Sequence, residues 1–294
     1  MRLIVVVCFQ DEARFLPRFL TSVERQTRPP DRLVLVDDGS RDDSARLAAE
    51  YTARHRYAVV RYRSPRRREA DRLVRAAELE AFEWAVAGLN EPFDVIAKVD
   101  ADLELNPTHF ERMLAEIGAD LRLGIAGAVL SDVAGDGSAA PLPAPSHHVP
   151  GATKFYRREC YEQILPIPAH LGWDMIDTVK ARRAGWRTES FRLAGGDTLH
   201  LRPTGAQDGV LRAYGRWGAC AWGYGAHPLF VLLGVIKRMS WRPRVVGGAA
   251  YGAGYCWAAL RGVPRVDSDV RSFIRQEEAR QVRDLLRSPL PARS

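Results

Sequence analysis

A chain of 294 residues, 46% hydrophobic and 27% charged, has the balance of an ordinary globular protein, which excludes disorder over most of its length and allows one large domain or a domain with an appendage. The formal charge of +7, concentrated at Arg61 to Arg72 and Lys237 to Arg244, suits nucleic acid, anionic lipid or a phosphorylated substrate and chooses none of them by itself. Cys8, Cys160, Cys220 and Cys256 are scattered without a C-x-x-C pair, so neither a zinc site nor a disulfide framework is expected and a reducing cytoplasm fits.

Leu3 to Cys8 is a continuous β-branched apolar run, the pattern of a strand covered on both faces and too brief for the apolar region of a signal peptide. Phe15, Phe19 and Val23, with Leu16 and Leu20 alongside, give the following segment a helical period, and Pro29-Pro30 ends it. Leu33 to Val36 reads as a second buried strand, closed by the turn and cap residues Asp37-Asp38-Gly39-Ser40. A helix at Ala45 to Tyr51, a strand at Ala58 to Tyr62, a helix from about Ala70 to Ala87 and a strand at Asp94 to Val99 continue a β-α-β rhythm. That rhythm predicts an α/β fold, a doubly wound, mainly parallel sheet with helices on both faces.

Asn106-Pro107 has the types of an N-cap and a first helical residue, with Phe110, Met113, Leu114 and Ile117 on the buried side. Gly124 to Leu130 predicts another strand. Ser131 to Gly151, rich in Gly, Ala, Pro, Ser and His, reads as a long mobile loop of the kind that serves as a lid. Order resumes at Thr153 to Tyr156; Gly172-Trp173-Asp174 opens a helix running to Arg183, Arg187 to Leu193 is extended, and His200 to Gly205 is irregular. The first domain is placed at 1–205 and a helical appendage at 206–294. In the appendage, apolar Pro228 to Ile236 and Val245 to Leu260 flank the basic run, and neither reaches the roughly 20 residues a bilayer crossing needs. A helical hairpin on an anionic membrane surface fits, and so do two helices packed on the domain or in a homodimer interface. A charged amphipathic helix at Val270 to Leu286 ends the pattern.

The chemistry concentrates at predicted strand ends: Gln10-Asp11-Glu12, Asp37-Asp38 and Asp100-Ala101-Asp102. Open α/β sheets bind ligands beyond the carboxyl ends of their strands, and crowded carboxylates call for a cation to offset their repulsion. A divalent metal carrying a nucleotide diphosphate would do so, although any one of these aspartates alone suits a cap or turn equally well. Asp174, at a helix start beside Trp173, suits a base that takes a proton from a sugar hydroxyl; its bland alternative is an N-cap.

In this combination and order, Val5 to Glu12, Val36 to Ser40, Lys98 to Leu103, Gly172 to Asp174 and His200 to Gly205 resemble a family 2 glycosyltransferase of the GT-A fold, inverting and D-x-D containing. The resemblance implies that Asp38, with Asp37 beside it, contacts the nucleobase, that Asp100 lies near the ribose and diphosphate, and that Asp102 and His200 approach a Mn2+ or Mg2+ ion. It also implies that Asp174 is the catalytic base. Gln10, Glu12 and Lys98 complete the expected donor side, and Trp173 is expected at the acceptor. The implied partners are a UDP- or GDP-sugar donor and a saccharide or lipid-linked acceptor of the cell envelope, met in the cytoplasm or at the inner face of the cytoplasmic membrane. No nucleic-acid partner is expected. A nucleotidyltransferase could use a similar acidic edge, but would place a Gly-rich basic loop where Gln10-Asp11-Glu12 stands; a non-enzymatic basic membrane or nucleic-acid module leaves the acidic edge without a purpose.

Overall fold

The structure is a computed structural model that describes residues 1–63, 76–141, 144–169, 172–202, 209–240 and 244–287. The basic residues Arg66 to Arg72, the motif residues Pro203 to Gly205 and positions 241–243 of the second basic run lie outside the described residues. The chain divides into two compact units, Met1–Thr204 and Gly205–Ser294.

In the first unit the elements run β1 (Leu3–Phe9), α1 (Leu16–Glu24), β2 (Arg32–Asp37), α2 (Ser44–Arg54), β3 (Ala58–Tyr62), α3 (Ala77–Ala87), β4 (Val95–Val99), β5 (Leu103–Glu104), α4 (His109–Ala119) and β6 (Leu123–Ala128). They continue as β7 (Leu130–Val133), β8 (Ala139–Pro141), β9 (Thr153–Arg157), α5 (Arg158–Ile164), α6 (Trp173–Arg183), β10 (Arg187–Phe191) and β11 (Thr198–His200). A seven-stranded sheet has the order β10-β6-β9-β4-β1-β2-β3, parallel except that β9 runs antiparallel between β4 and β6.

The apolar runs read as strands because both of their faces are covered. On one face Leu3, Val5, Val7 and Phe9 pack with Leu16, Phe19 and Val23 of α1 and with Phe110 and Met113 of α4. On the other, Ile4, Val6, Val34 and Ile96 pack with Leu79 and Phe82 of α3, Tyr161 of α5 and Trp173 of α6. Burying each such side chain contributes about 1.5–3 kcal/mol, so an alternating polar pattern could not have filled these positions.

Three expectations change. The helix expected to open at Pro107 begins at His109. Asn106 instead accepts from Thr108 N and Oγ1 at 2.9 and 2.8 Å and donates to the carbonyls of Ala194 and Gly196, fastening this corner to the chain before β11. The supposed mobile loop Ser131 to Gly151 holds the antiparallel pair β7 and β8, with Ser131 opposite Pro141, and its later part is pinned to β10 by Ser190 N to Ser146 O at 2.7 Å and Thr188 Oγ1 to His147 O at 2.6 Å. Turn-forming composition disguised backbone pairing there. The segment read as irregular at His200 is the end of β11, which joins β5, β7 and β8 in a second sheet of order β5-β11-β7-β8.

The second unit contains α7 (Val210–Gly223), α8 (Pro228–Met239), α9 (Val246–Leu260) and α10 (Ser268–Arg287). The hydropathy pattern did not distinguish α7. A Cβ on Gly218 would lie 1.9 Å from Tyr251 O, and one on Gly254 would lie 1.9 Å from Gly215 O, so α7 and α9 meet backbone to backbone through glycines. No described helix is long and apolar enough to cross a membrane.

Candidate active site

The site begins where β1, β2 and β4 end side by side. Asp38 N donates to Phe9 O at 2.9 Å, and the Gln10 side-chain amide donates to the carbonyls of Asp38 and Gly39 at 3.0 and 3.2 Å, so β1 shapes the turn after β2. Gly39 has φ +83°, a backbone that suits glycine. Asp37, expected at the donor, accepts instead from Ser40 N at 2.8 Å and holds that turn. Asp38 keeps its carboxylate against Arg63 at 3.1 Å, and the same guanidinium reaches Glu80 at 3.2 Å. Arg63, given no role by the sequence, thus sits at the expected nucleobase position.

Beyond β4, Asp102 Oδ2 lies 3.7 Å from His200 Nε2 and 3.7 Å from Arg202 Nε. This proximity follows from pairing: His200 is opposite Leu103 across β5 and β11, and Leu201 N donates to Asp102 O at 2.9 Å. Arg202 also pairs with Glu12, joining the end of β1 to that of β4. His200 Nδ1 is 2.9 Å from Asp132 Oδ1 on β7, a partner hidden inside the supposed loop. A carboxylate at one ring nitrogen fixes which way the other points, here toward Asp102.

The electrostatics of this edge are those of crowded, half-dried charges. Burial alone would lower the His200 pKa, but Asp102 and Asp132 outweigh it and push it up to about 10. Burial would likewise raise Asp102, yet His200 and Arg202 hold it below the ordinary carboxylate range. Asp100 is pushed up to about 7 by burial, reinforced by Glu78 and Asp102 and opposed by Lys98. Glu12 is raised by burial despite Arg202. Among the described residues no three His, Cys, Asp or Glu side chains form a self-sufficient metal cage. Asp102 and His200 form an open pair.

Lys98 and Trp173 are not where the sequence placed them. The Lys98 side chain is 1% exposed and its ammonium is given to Asp100 at 2.5 Å, Gly151 O at 2.9 Å and Glu78 at 3.4 Å, so it backs the donor side without facing it. Burial would lower its pKa, but Asp100 and Glu78 outweigh this and raise it. Trp173 is 4% exposed, its indole N–H donating to Glu78 at 3.2 Å, and so offers no open face for a sugar to stack on. Asp174 stands in the first turn of α6, half-buried, with its carboxylate against Gly151: a Cβ on that glycine would come within 3.2 Å of Oδ2. His148 is nearby, its pKa lowered by burial and partly restored by the Asp174 charge.

Comparisons place this geometry. Residues 4–164 match the family model described as Glycosyl transferase family 2. The mannosyltransferase PcManGT from Pyrobaculum calidifontis, solved with GDP-Man and Mn2+, is similar in fold, with a TM-score of 0.57 at 14% identity over 97% of this chain and 86% of that one. TarS 1-349 from S. aureus, solved with UDP-GlcNAc, gives 0.53 at 13% identity over 93% of this chain and 78% of that one. GalNAc-T7, solved with UDP, GalNAc and Mn2+, gives 0.57 at 14% over 97% of this chain and 58% of that one.

Proposed function

Because the chain belongs to glycosyltransferase family 2, we propose that it is a metal-dependent, inverting enzyme that moves a sugar from a nucleotide-diphosphate sugar to an acceptor hydroxyl. The observation that carries this reading is the open pair Asp102 and His200, 3.7 Å apart at an acidic sheet edge. One carboxylate and one imidazole, with further positions left to phosphate oxygens and water, suit Mn2+ or Mg2+. The Mn2+ in the PcManGT and GalNAc-T7 structures supports this choice, and when bound such an ion neutralises the charge that develops on the departing diphosphate.

The chain's own residues divide the remaining work. Asp38 accepts hydrogen bonds from the nucleobase while Arg63 holds its carboxylate in place. Asp100 lies toward the ribose and diphosphate, and Arg202 and Glu12 close the edge between β1 and β4. Asp174 takes the proton of the acceptor hydroxyl as it attacks the anomeric carbon from the side opposite the diphosphate. The donors named with the similar structures, GDP-Man and UDP-GlcNAc, make a GDP- or UDP-sugar the class to test first. The acidic edge and the family assignment favour this transferase reading over a nucleotidyltransferase or a non-enzymatic basic module.

Asp102→Ala is expected to lower both transfer and donor hydrolysis at least about 1,000-fold, the scale on which removing a single electrostatic partner of a leaving group acts. Wild-type turnover by this variant refutes the assignment. Asp174→Asn is expected to keep donor affinity and lose transfer; loss of both makes Asp174 a binding or structural residue. For the acceptor, a lipid-linked saccharide at a membrane surface is favoured by α8, where Leu229, Leu232, Leu233 and Ile236 are 44–57% exposed and Lys237 follows directly. Flotation with anionic liposomes tests that part separately.

A further inference from the structure

Lys98 and Lys154 are register partners on the antiparallel strands β4 and β9, with side chains 1% and 0% exposed. Like charges directly opposite one another on adjacent strands repel, and each buried ammonium carries a desolvation penalty of several kcal/mol. A fold that needed only a core would place apolar residues here, as it does at the neighbouring pairs Ala97 with Phe155 and Ile96 with Tyr156.

Each lysine is committed to a different part of the site. Lys98 holds Asp100 at 2.5 Å and Gly151 O at 2.9 Å. Lys154 holds both oxygens of Asp177, at 2.5 and 2.7 Å, and the backbone carbonyl of Asp174 at 2.5 Å. Tyr156 donates to Asp177 Oδ2 at 2.5 Å, which fixes the carboxylate that fixes Lys154. Both ammonium nitrogens lie 5.3 Å from the centre of the Trp173 ring, whose electron-rich face offsets part of their repulsion. Gly151 closes the circuit, since its carbonyl takes Lys98 while its Cα abuts the Asp174 carboxylate.

We propose that Lys98, Lys154, Trp173 and Asp177 form a buried positioning frame that sets Asp174 at a fixed distance from Asp100, and so holds the base in register with the bound donor. The inference rests on the reading of Asp174 as base and Asp100 as a donor-side residue. None of the four touches substrate; they act through the two aspartates. Displacing a reacting group by about 1 Å costs on the order of 100-fold in rate, so the frame is felt in kcat and only weakly in donor binding.

The test is the full chain carrying Lys154→Met with Asp177→Leu, since replacing a whole buried ion pair by apolar side chains of similar size preserves folding where removing one partner does not. Nucleoside diphosphate release is followed from UDP-GlcNAc and GDP-mannose with Mn2+, alongside Kd for UDP and GDP. The frame predicts a kcat about 100-fold lower, a donor KM and nucleotide Kd within about twofold of wild type, and a retained melting transition. Unchanged kcat overturns it, and so does a parallel loss of kcat and nucleotide affinity. Should the double variant fail to fold, Tyr156→Phe removes only one hydrogen bond from Asp177; a kcat about fivefold lower at constant KM supports the frame, and an unchanged kcat overturns it. Asp174→Asn in the same assay separates the premise from the proposal. Wild-type release by that variant removes the base and the frame with it, whereas loss in Asp174→Asn beside an unaffected double variant removes the frame alone.

Discussion

In the unit Met1–Thr204, charged and polar side chains such as Lys154, Asp177 and His109 are fully buried and fully engaged, while in Gly205–Ser294 large apolar side chains such as Leu229, Ile236 and Trp257 face outward. Neither arrangement is what burial energetics alone would select. The first spends desolvation energy to hold groups in fixed positions, and the second leaves apolar area uncovered that a partner surface can cover. The contrast assigns precision to the sheet unit and docking to the helical one, and each half can be tested.

The largest effect is expected from His109, whose imidazole lies between Thr198 Oγ1 at 2.6 Å and Thr153 Oγ1 at 2.9 Å and ties α4 to β11 and β9. Burial pushes its pKa down to about 3. The unfolded chain takes up this proton near pH 6.5 while the folded chain does not, so the unfolded state binds more protons and stability rises with pH. The contribution is complete above pH 6.5 and is lost as pH falls toward 3, at about 1.4 kcal/mol per pH unit. Urea unfolding between pH 7 and pH 4.5 checks this, with His109→Gln expected to flatten the slope by about one proton. An equal slope in both proteins shows that this buried imidazole does not govern the acid limb.

His109 also marks the boundary of what the sequence could reveal. Its residue type and place at a helix start were visible, but its two threonine partners come from strands far along the chain. The same holds for Asp132, hidden in a segment whose composition resembled a loop, and for Arg63, whose role depends on the parallel pairing of β2 and β3. By contrast, strand β3 and the start of α6 were legible to the residue, because continuous apolar runs and a glycine before an aromatic carry their own signal. Asp102 and His200 were legible only together, through the resemblance, and strand pairing then set their separation. Trp173 and Lys98 were misplaced for one reason: β9 inserts antiparallel beside β4, and no local pattern announces the lysine pair that this creates.

A smaller effect is expected in the helical unit, where backbone contact replaces polar networks. Gly218→Ala puts a methyl 1.9 Å from Tyr251 O, a backbone atom that cannot swing away, so α7 and α9 must separate at a cost of about 1–3 kcal/mol. Gly223 on the same helix has nothing within 4 Å of its missing Cβ, and Gly223→Ala is expected to be neutral or stabilising by up to about 1 kcal/mol. Thermal unfolding of the two variants sharpens the contrast if their shifts differ in sign. Similar shifts would mean that the close approach of α7 and α9 is not what holds this unit together.

The smallest effect on stability is the most informative about docking. Ile236 is 57% exposed and shares a stripe of α8 with Leu229, Leu232 and Leu233 at three- and four-residue spacing. Because the side chain is already in water, Ile236→Glu removes little burial and is expected to change stability by less than about 0.5 kcal/mol. If the stripe lies against lipid, the same substitution puts a carboxylate among anionic head groups and removes an apolar anchor, so binding weakens through both desolvation and repulsion. Flotation with anionic liposomes is therefore expected to fall at least tenfold for Ile236→Glu while the melting midpoint and nucleotide binding stay at wild-type values. Flotation that is absent in the wild type, or equal in both proteins, takes lipid away as the occupant of this face. A concentration-dependent dimer abolished by the same substitution would then identify a second copy of the chain as its cover.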